Sequence, residues 1–169
     1  MLNTTENKWP ARTPTIGYTI DNKKLSNDTY KLVIECPEVA QRVQPGQFIS
    51  ILCESLVLRR PFSVAKIDGQ NIEIIYKLKG EGTKFLTNIK QAQSIDLIGP
   101  LGQGFNITED KALLVGAGVG IAPLILLSQE LSRKEIEYQF LAGFRTFINL
   151  EELQKSGSLI VTEDNSSSL

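Results

Sequence analysis

The 169-residue chain contains no histidine, and its only cysteines are Cys36 and Cys53. Without imidazole there is neither a Ser-His-Asp triad nor histidine acid–base catalysis. Two thiols cannot ligate a structural zinc or a four-cysteine iron–sulfur cluster, so no metal site is expected. Both cysteines lie in strand-like contexts, Val33-Ile34-Glu35-Cys36 and Ile51-Leu52-Cys53, and read as buried free thiols. Neither sign of charge is in excess: 18 Lys and Arg face 19 Asp and Glu, for a net charge of −1. That balance gives no reason to expect a nucleic-acid partner. Long apolar runs are also missing. The longest uncharged stretch, 112–127, is short for a bilayer span and is broken by glycines and Pro123. Residues 1–14 are polar with no apolar leader core, so a flexible N-terminus and a cytoplasmic protein are expected. No catalytic side chain stands out, and a bound cofactor must carry whatever chemistry occurs.

What the chain does have is a series of short strand candidates at 15–20, 29–36, 47–53, 72–78 and 94–98, separated by turn signals such as Pro45-Gly46 and Asp68-Gly69. Residues 21–28 read as a polar turn. Closely spaced strands of this kind predict a small antiparallel barrel or sandwich. In its middle stands Leu58-Arg59-Arg60-Pro61-Phe62-Ser63. Arg60 suits a phosphate bidentately, Phe62 a planar ring and Ser63 a heteroatom on that ring's edge, which together describe a flavin cradle. The alternative is an edge strand with a surface arginine pair and a core phenylalanine. Pro61 lacks a donor and points to a sheet edge or bulge. Further on, Gly80-Glu81-Gly82-Thr83 opens a short helix. Its exposed N–H groups suit a diphosphate, or the turn is an ordinary one capped by Thr83.

Gly99-Pro100-Leu101-Gly102-Gln103-Gly104-Phe105 marks a boundary, after which the periodicity changes. A strand at 112–115, the turn Gly116-Ala117-Gly118-Val119-Gly120, a helix at 121–133, a strand at 138–143, a helix at 149–155 and a strand at 159–162 form a βαβ pattern. The resulting organisation is a flexible segment 1–14, a barrel over 15–105 and a partial parallel α/β domain over 106–169. The glycine turn departs from the dinucleotide fingerprint, with Ile121 where glycine or alanine is wanted and Gly143-Phe144-Arg145 where an acid is wanted. A turn approaching a transiently bound nucleotide, with Arg145 nearby, fits better; a purely structural βα turn is the alternative.

Taken together, Arg60-Pro61-Phe62-Ser63, Gly80-Glu81-Gly82-Thr83, Gly99-Pro100-Leu101-Gly102 and Gly116 to Pro123 resemble the ferredoxin reductase superfamily. Within it the chain looks most like electron-transfer subunits of the NAD-dependent dihydroorotate dehydrogenases. The resemblance implies an antiparallel Greek-key barrel followed by an incomplete parallel nucleotide-binding domain. It implies FAD held by Arg60, Pro61, Phe62 and Ser63, by Ile75, Tyr76 and Lys77, and by Gly82 and Thr83. It implies NAD(H) docking as substrate against Gly116, Gly118, Gly120, Pro123, Gly143 and Arg145. In that family electrons pass from NADH to FAD and leave through a [2Fe–2S] cluster. The acceptor is an FMN-containing catalytic subunit in a heterotetramer serving pyrimidine biosynthesis. Other ferredoxin–NADP reductase-like or sulfide dehydrogenase subunits, and a flavin-binding domain without turnover, are the competing readings. On the electron-transfer readings the chain is an oxidoreductase component rather than a complete enzyme; on the last it is non-enzymatic, and the sequence leaves the choice open. Neither Cys36 nor Cys53 matches a cluster ligand, and Asn165 replaces the family's glycine in the acidic turn Glu163-Asp164-Asn165. The family's two further strands are missing from these residues, so the strand at 112–115 is expected to present an open edge that loosens the second domain or favours self-association.

Overall fold

The computed structural model describes residues 13–53, 56–108, 110–148, 150–155, 158–164 and 166. Residues 1–12, with most of the expected N-terminal segment, lie outside them, as do Asn149 and Asn165. Six strands close into an antiparallel barrel: β1 (Thr15–Lys24), β2 (Thr29–Glu35), β3 (Phe48–Ile51), β4 (Arg60–Asp68), β5 (Asn71–Lys77) and β6 (Ser94–Leu101), in the order β1-β2-β5-β4-β3-β6. A short helix α1 (Pro37–Ala40) follows β2, and α2 (Glu81–Thr87) follows β5. Alternation puts Leu32, Ile34, Ile49, Ile51, Val64, Ile72, Ile74 and Leu97 into the barrel, all of them fully buried. Cys36 and Cys53 are free and buried, as their contexts imply.

The structure departs from the sequence reading at several points; β6 runs on through Gly99-Pro100-Leu101, part of the expected boundary segment, and β3 stops at Ile51. β1 continues through Asp21-Asn22-Lys23-Lys24, where a polar turn was expected, because those residues pair with β2 from Val33 to Tyr30 after a register shift at Thr19/Asp21. Cross-strand hydrogen bonds outweigh the low strand propensity of that segment. Pro61 lies in a paired strand, opposite Ser50 of β3, but at that height β4 has no partner on its β5 side. A residue without N–H is tolerated there because one flank needs no donor.

The second unit is a parallel sheet of β7 (Lys111–Ala117), β8 (Glu137–Phe144) and β9 (Leu159–Thr162), in that order. A 3-10 turn over Gly118–Ile121 leads into α3 (Ala122–Arg133), and α4 (Glu151–Lys155) precedes β9. α3 is buried on two sides. Leu126 belongs to the barrel's apolar cluster, while Ile125, Leu127 and Leu131 pack with Leu114, Phe140 and Ala142 of the parallel sheet. Ala65 of β4 and Ile75 of β5 join that second cluster from the outside of the barrel. The other face of the parallel sheet is open, with Leu113 66%, Val115 59%, Leu159 55% and Val161 53% exposed. As expected, β7 forms an edge, paired with β8 alone among the described residues. No helix among the described residues is long and apolar enough to cross a membrane.

Candidate functional site: a barrel slot facing a nucleotide-type cleft

The ladder between β4 and β5 runs from Asp68↔Asn71 to Val64↔Ile74 and stops there. Beyond it, among the described residues, Arg60–Ser63 keep β3 as their only strand partner, and Ile75–Lys77 keep β2. The two strands splay into a slot whose walls carry backbone N–H and C=O groups with no ladder partner. Such groups need a partner from water or a ligand. Seven residues singled out from sequence, Arg60, Pro61, Phe62, Ser63, Ile75, Tyr76 and Lys77, form these two walls.

Their side chains have different duties. Phe62 turns into the barrel rim and meets the Tyr76 ring edge-on at 6.1 Å. Tyr76 is buried, stacks on Tyr30 at 5.5 Å and donates its hydroxyl to Asn22 Oδ1 at 3.1 Å. Burial pushes the Tyr76 phenol well above its usual range. Asn22 Nδ2 in turn donates to the carbonyls of Leu86 (2.7 Å) and Ile89 (3.2 Å), tying the end of α2 to the barrel. Ile75 is buried among the residues of the second apolar cluster. Ile75 and Tyr76 therefore offer a ligand in the slot their backbone. Ser63 is half-buried, and its hydroxyl takes no partner among the described residues.

The arginine pair divides. Arg59 bridges strands: its Nη2 lies 2.9 Å from Asp96 Oδ1, and its Nη1 donates to the carbonyls of Asp96 (3.2 Å) and Ser50 (3.4 Å). Arg60, pointing the other way as alternation requires, donates to the carbonyls of Leu58 (2.8 Å) and Arg59 (3.3 Å). No carboxylate of a described residue lies within ion-pair range of it. Arg60 closes one side of a hollow of about 300 Å³ whose other wall is Lys79, Gly80, Glu81, Gly82 and Thr83. Gly82 permits that approach, since a Cβ there would stand 2.9 Å from Arg60 Cγ. The Thr83 hydroxyl is already engaged, accepting from the N–H groups of Lys79 (2.9 Å) and Gly80 (3.1 Å) and donating to Gly80 O (2.9 Å). Thr83 thus shapes the turn at the start of α2 rather than presenting a free hydroxyl to the hollow. Beneath them Cys53 Sγ lies 3.5 Å from Gly82 O, with its thiol pushed up by burial.

The glycine turn after β7 assigns separate reasons to its glycines. A Cβ on Gly116 would lie 2.8 Å from Leu124 Cδ1 and 3.1 Å from Ile121 Cγ2, so this glycine lets strand and helix approach. Gly118 has φ +53 with open space around it, a conformation side chains disfavour. Gly120 has neither constraint. Ile121, the departure from the dinucleotide fingerprint, is buried in the second apolar cluster. Pro123 occupies the first turn of α3, where its missing N–H costs nothing.

Gly118, Val119 and Arg145 line a cleft of about 320 Å³ between the parallel sheet's carboxyl ends and the barrel. Gly143 lies at the end of β8 opposite Ala117, and neither it nor Gly116, Gly120 or Pro123 is among the residues that line the cleft. Its barrel wall was not foreseen: it consists of residues 25–29 and Lys77. Asp28 lies 2.8 Å from Lys77 Nζ, and this hydrogen bond holds its carboxyl below the ordinary range. Nothing local in the sequence announces that wall, because it depends on β2 and β5 being neighbours (Thr29↔Lys77). Among the described residues no group of His, Cys, Asp or Glu could hold a metal ion.

No protein-family model matches the chain. The dihydroorotate dehydrogenase B (NAD(+)) electron transfer subunit of Fusobacterium nucleatum subsp. nucleatum is 38% identical over 154 residues, covering 84% of this chain and 60% of that protein. The subunit of the same description from Bacillus cereus (strain Q1) is 38% identical over 136 residues, covering 75% of this chain and 52% of that one. An NADH-dependent reduced ferredoxin-NADP oxidoreductase structure superposes with a TM-score of 0.81 at 29% identity, over 92% of this chain and 59% of the other. The chain belongs to the ferredoxin reductase superfamily. The superfamily fold also accounts for the match to ferredoxin-NADP+ reductase from Plasmodium falciparum, with a TM-score of 0.75 at 18% identity over 93% of this chain and 74% of that one. The chain spans between 52% and 60% of the length of the two curated relatives.

Proposed function

We propose that this chain is the FAD-binding part of an electron-transfer subunit that passes electrons between NAD(H) and a partner dihydroorotate dehydrogenase. The slot between β4 and β5 carries the reading. It supplies unpaired backbone groups from Arg60–Ser63 and Ile75–Lys77 and the free Ser63 hydroxyl. It also supplies an arginine folded over Gly82 beside a hollow lined by a glycine-rich turn. A flavin needs those groups: donors and acceptors for its ring edge, and a cation with N–H groups for its diphosphate. When bound, FAD supplies the exchange between two-electron and one-electron chemistry, for which the chain has no side chain of its own.

The remaining residues position and shield. Arg60 and the first-turn N–H groups of α2 hold the diphosphate, and the walls of the slot orient the ring. Across the cleft, Gly118 lets the chain turn close to a pyridine nucleotide, and α3 fixes the distance between turn and slot through its packing on Ala65 and Ile75. The [2Fe–2S] cluster that the family resemblance implies finds no ligand set in these residues: Cys36 and Cys53 are the only cysteines, and both are buried. An FMN-containing catalytic subunit as electron acceptor, in a heterotetramer working in the cytoplasm, completes the proposal.

The test is direct. The purified chain should be yellow and release FAD on denaturation, and NADH should bleach it without oxygen. A colourless protein that takes up no added FAD would remove the basis of the reading. A chain that binds FAD but is never reduced by NADH would support the alternative of a flavin-binding domain without turnover.

A further inference from the structure

We propose that Glu163 sets the nucleotide preference of the cleft by engaging Arg145, so that a nucleotide with a free ribose 2′-hydroxyl is accepted and its 2′-phosphorylated counterpart is rejected. The inference rests on the cleft being the pyridine-nucleotide site. Nucleotides in parallel sheets bind beyond the carboxyl ends of the strands, where an arginine favours a 2′-phosphate and a carboxylate favours the hydroxyl. Read alone, Arg145 at the end of β8 belongs to the first kind.

The structure gives it a partner that reverses this. Arg145 Nε lies 3.6 Å from Glu163 Oε2 at the end of β9. The pairing is held by the backbone as well. Glu163 N donates to Phe144 O at 3.0 Å, and Asp164 N donates to Arg145 O at 3.3 Å. The two strand ends therefore run side by side, and Glu163 stays near the arginine even though both side chains are largely exposed. A second carboxylate stands next to it. Asp164 accepts from the N–H and hydroxyl of Ser166, which hold it ionised.

The other cation in the cleft wall is Lys77, and it is paired with Asp28 at 2.8 Å. Both cationic side chains among the described lining residues thus already face a carboxylate. A 2′-phosphate would bring about −1.5 to −2 charges at neutral pH into this balanced surface. It would have to displace Glu163 from Arg145 and leave that carboxylate beside it. A ribose hydroxyl meets no such opposition, and Glu163 is an acceptor for it.

The experiment uses the flavin-loaded protein. Adenosine 5′-monophosphate and adenosine 2′,5′-bisphosphate are titrated calorimetrically, and anaerobic flavin reduction is followed with NADH and NADPH. The expected result is a preference of at least about tenfold for the unphosphorylated member of each pair, equivalent to one 1.4 kcal/mol step. Glu163→Gln should narrow the ratio about tenfold, Glu163→Asp should restore it, and adding Arg145→Gln to Glu163→Gln should abolish the gain. A parent protein indifferent to the 2′-phosphate, or a Glu163→Gln variant with an unchanged ratio, overturns the assignment while leaving the nucleotide site standing. Binding of neither adenosine nucleotide overturns both.

Discussion

Gly82 lies beneath the Arg60 side chain with no room for a methyl group: a Cβ there would stand 2.9 Å from Arg60 Cγ and 3.2 Å from Nε. The glycine-rich turn and the arginine are therefore one device. Gly82→Ala should separate folding from binding. Alanine in the first turn of α2 gains up to about 1 kcal/mol of helix propensity, so the apoprotein should melt no lower. FAD affinity should nonetheless fall at least about tenfold, because Arg60 is pushed aside. Equal FAD affinity in parent and Gly82→Ala would show that Arg60 does not need its present position.

Arg60→Ala removes the cation itself. Loss of a charge-assisted hydrogen bond predicts FAD binding weaker by about 1.5–3 kcal/mol. Arg59→Ala is the control with a different outcome. It unties Asp96 and β3 from each other and should lower the melting temperature. A purified Arg60→Ala protein with stoichiometric, tightly held FAD would count against the assignment.

Gly118→Val forces a β-branched side chain into φ +53 where nothing crowds it. The cost is backbone strain of about 1–3 kcal/mol, and the turn should relax away from its present path. The flavin should stay bound while reduction by NADH slows at least about tenfold. An unchanged reduction rate would make this turn a structural element only.

Asp28 and Lys77 give the cleft a pH signature. Hydrogen bonding to Lys77 lowers the Asp28 pKa in the folded state, so its contribution to stability is complete above the ordinary carboxylate value. It is lost as pH falls through the depressed value. Both side chains are nearly half exposed, which limits the effect to less than about 1 kcal/mol. Denaturant melts of Asp28→Asn and parent should differ slightly at neutral pH and converge well below about pH 4. A difference that persists unchanged in acid would mean that packing, not charge, is what the substitution alters.

The unpaired side of β7 is the last testable feature. Outward amides of Leu113 to Val115 should exchange quickly in dilute solution and gain protection as concentration rises, and Leu113→Lys should suppress that gain. Strong, concentration-independent protection in a demonstrated monomer would place another segment on that edge.

Much of this site was legible in the residues. The strand alternation, the βα glycine turn and the buried thiols follow from local pattern, and the wall residues of the slot follow from motifs. What was not legible depends on partners distant in sequence. Arg59 and Arg60 are chemically identical, and only Asp96, brought over by β6, shows that one is structural. Asp21 to Lys24 read as a turn until β2 is laid beside them. Asp28 and Glu163 gain meaning only when strand order sets them against Lys77 and Arg145. Tyr76 belongs to the slot by its backbone, a distinction that waits for its hydroxyl to be found on Asn22.

The helix α3 also settles how the two halves can move. Its Leu126 sits in the barrel cluster, its Ile125 and Leu127 sit in the other, and Ala65 and Ile75 meet it from the barrel wall. Opening the cleft would expose this apolar seam, which opposes separation of slot and glycine turn. On the proposed reading, whatever donates and whatever accepts electrons would dock at a gap whose two sides this seam ties together.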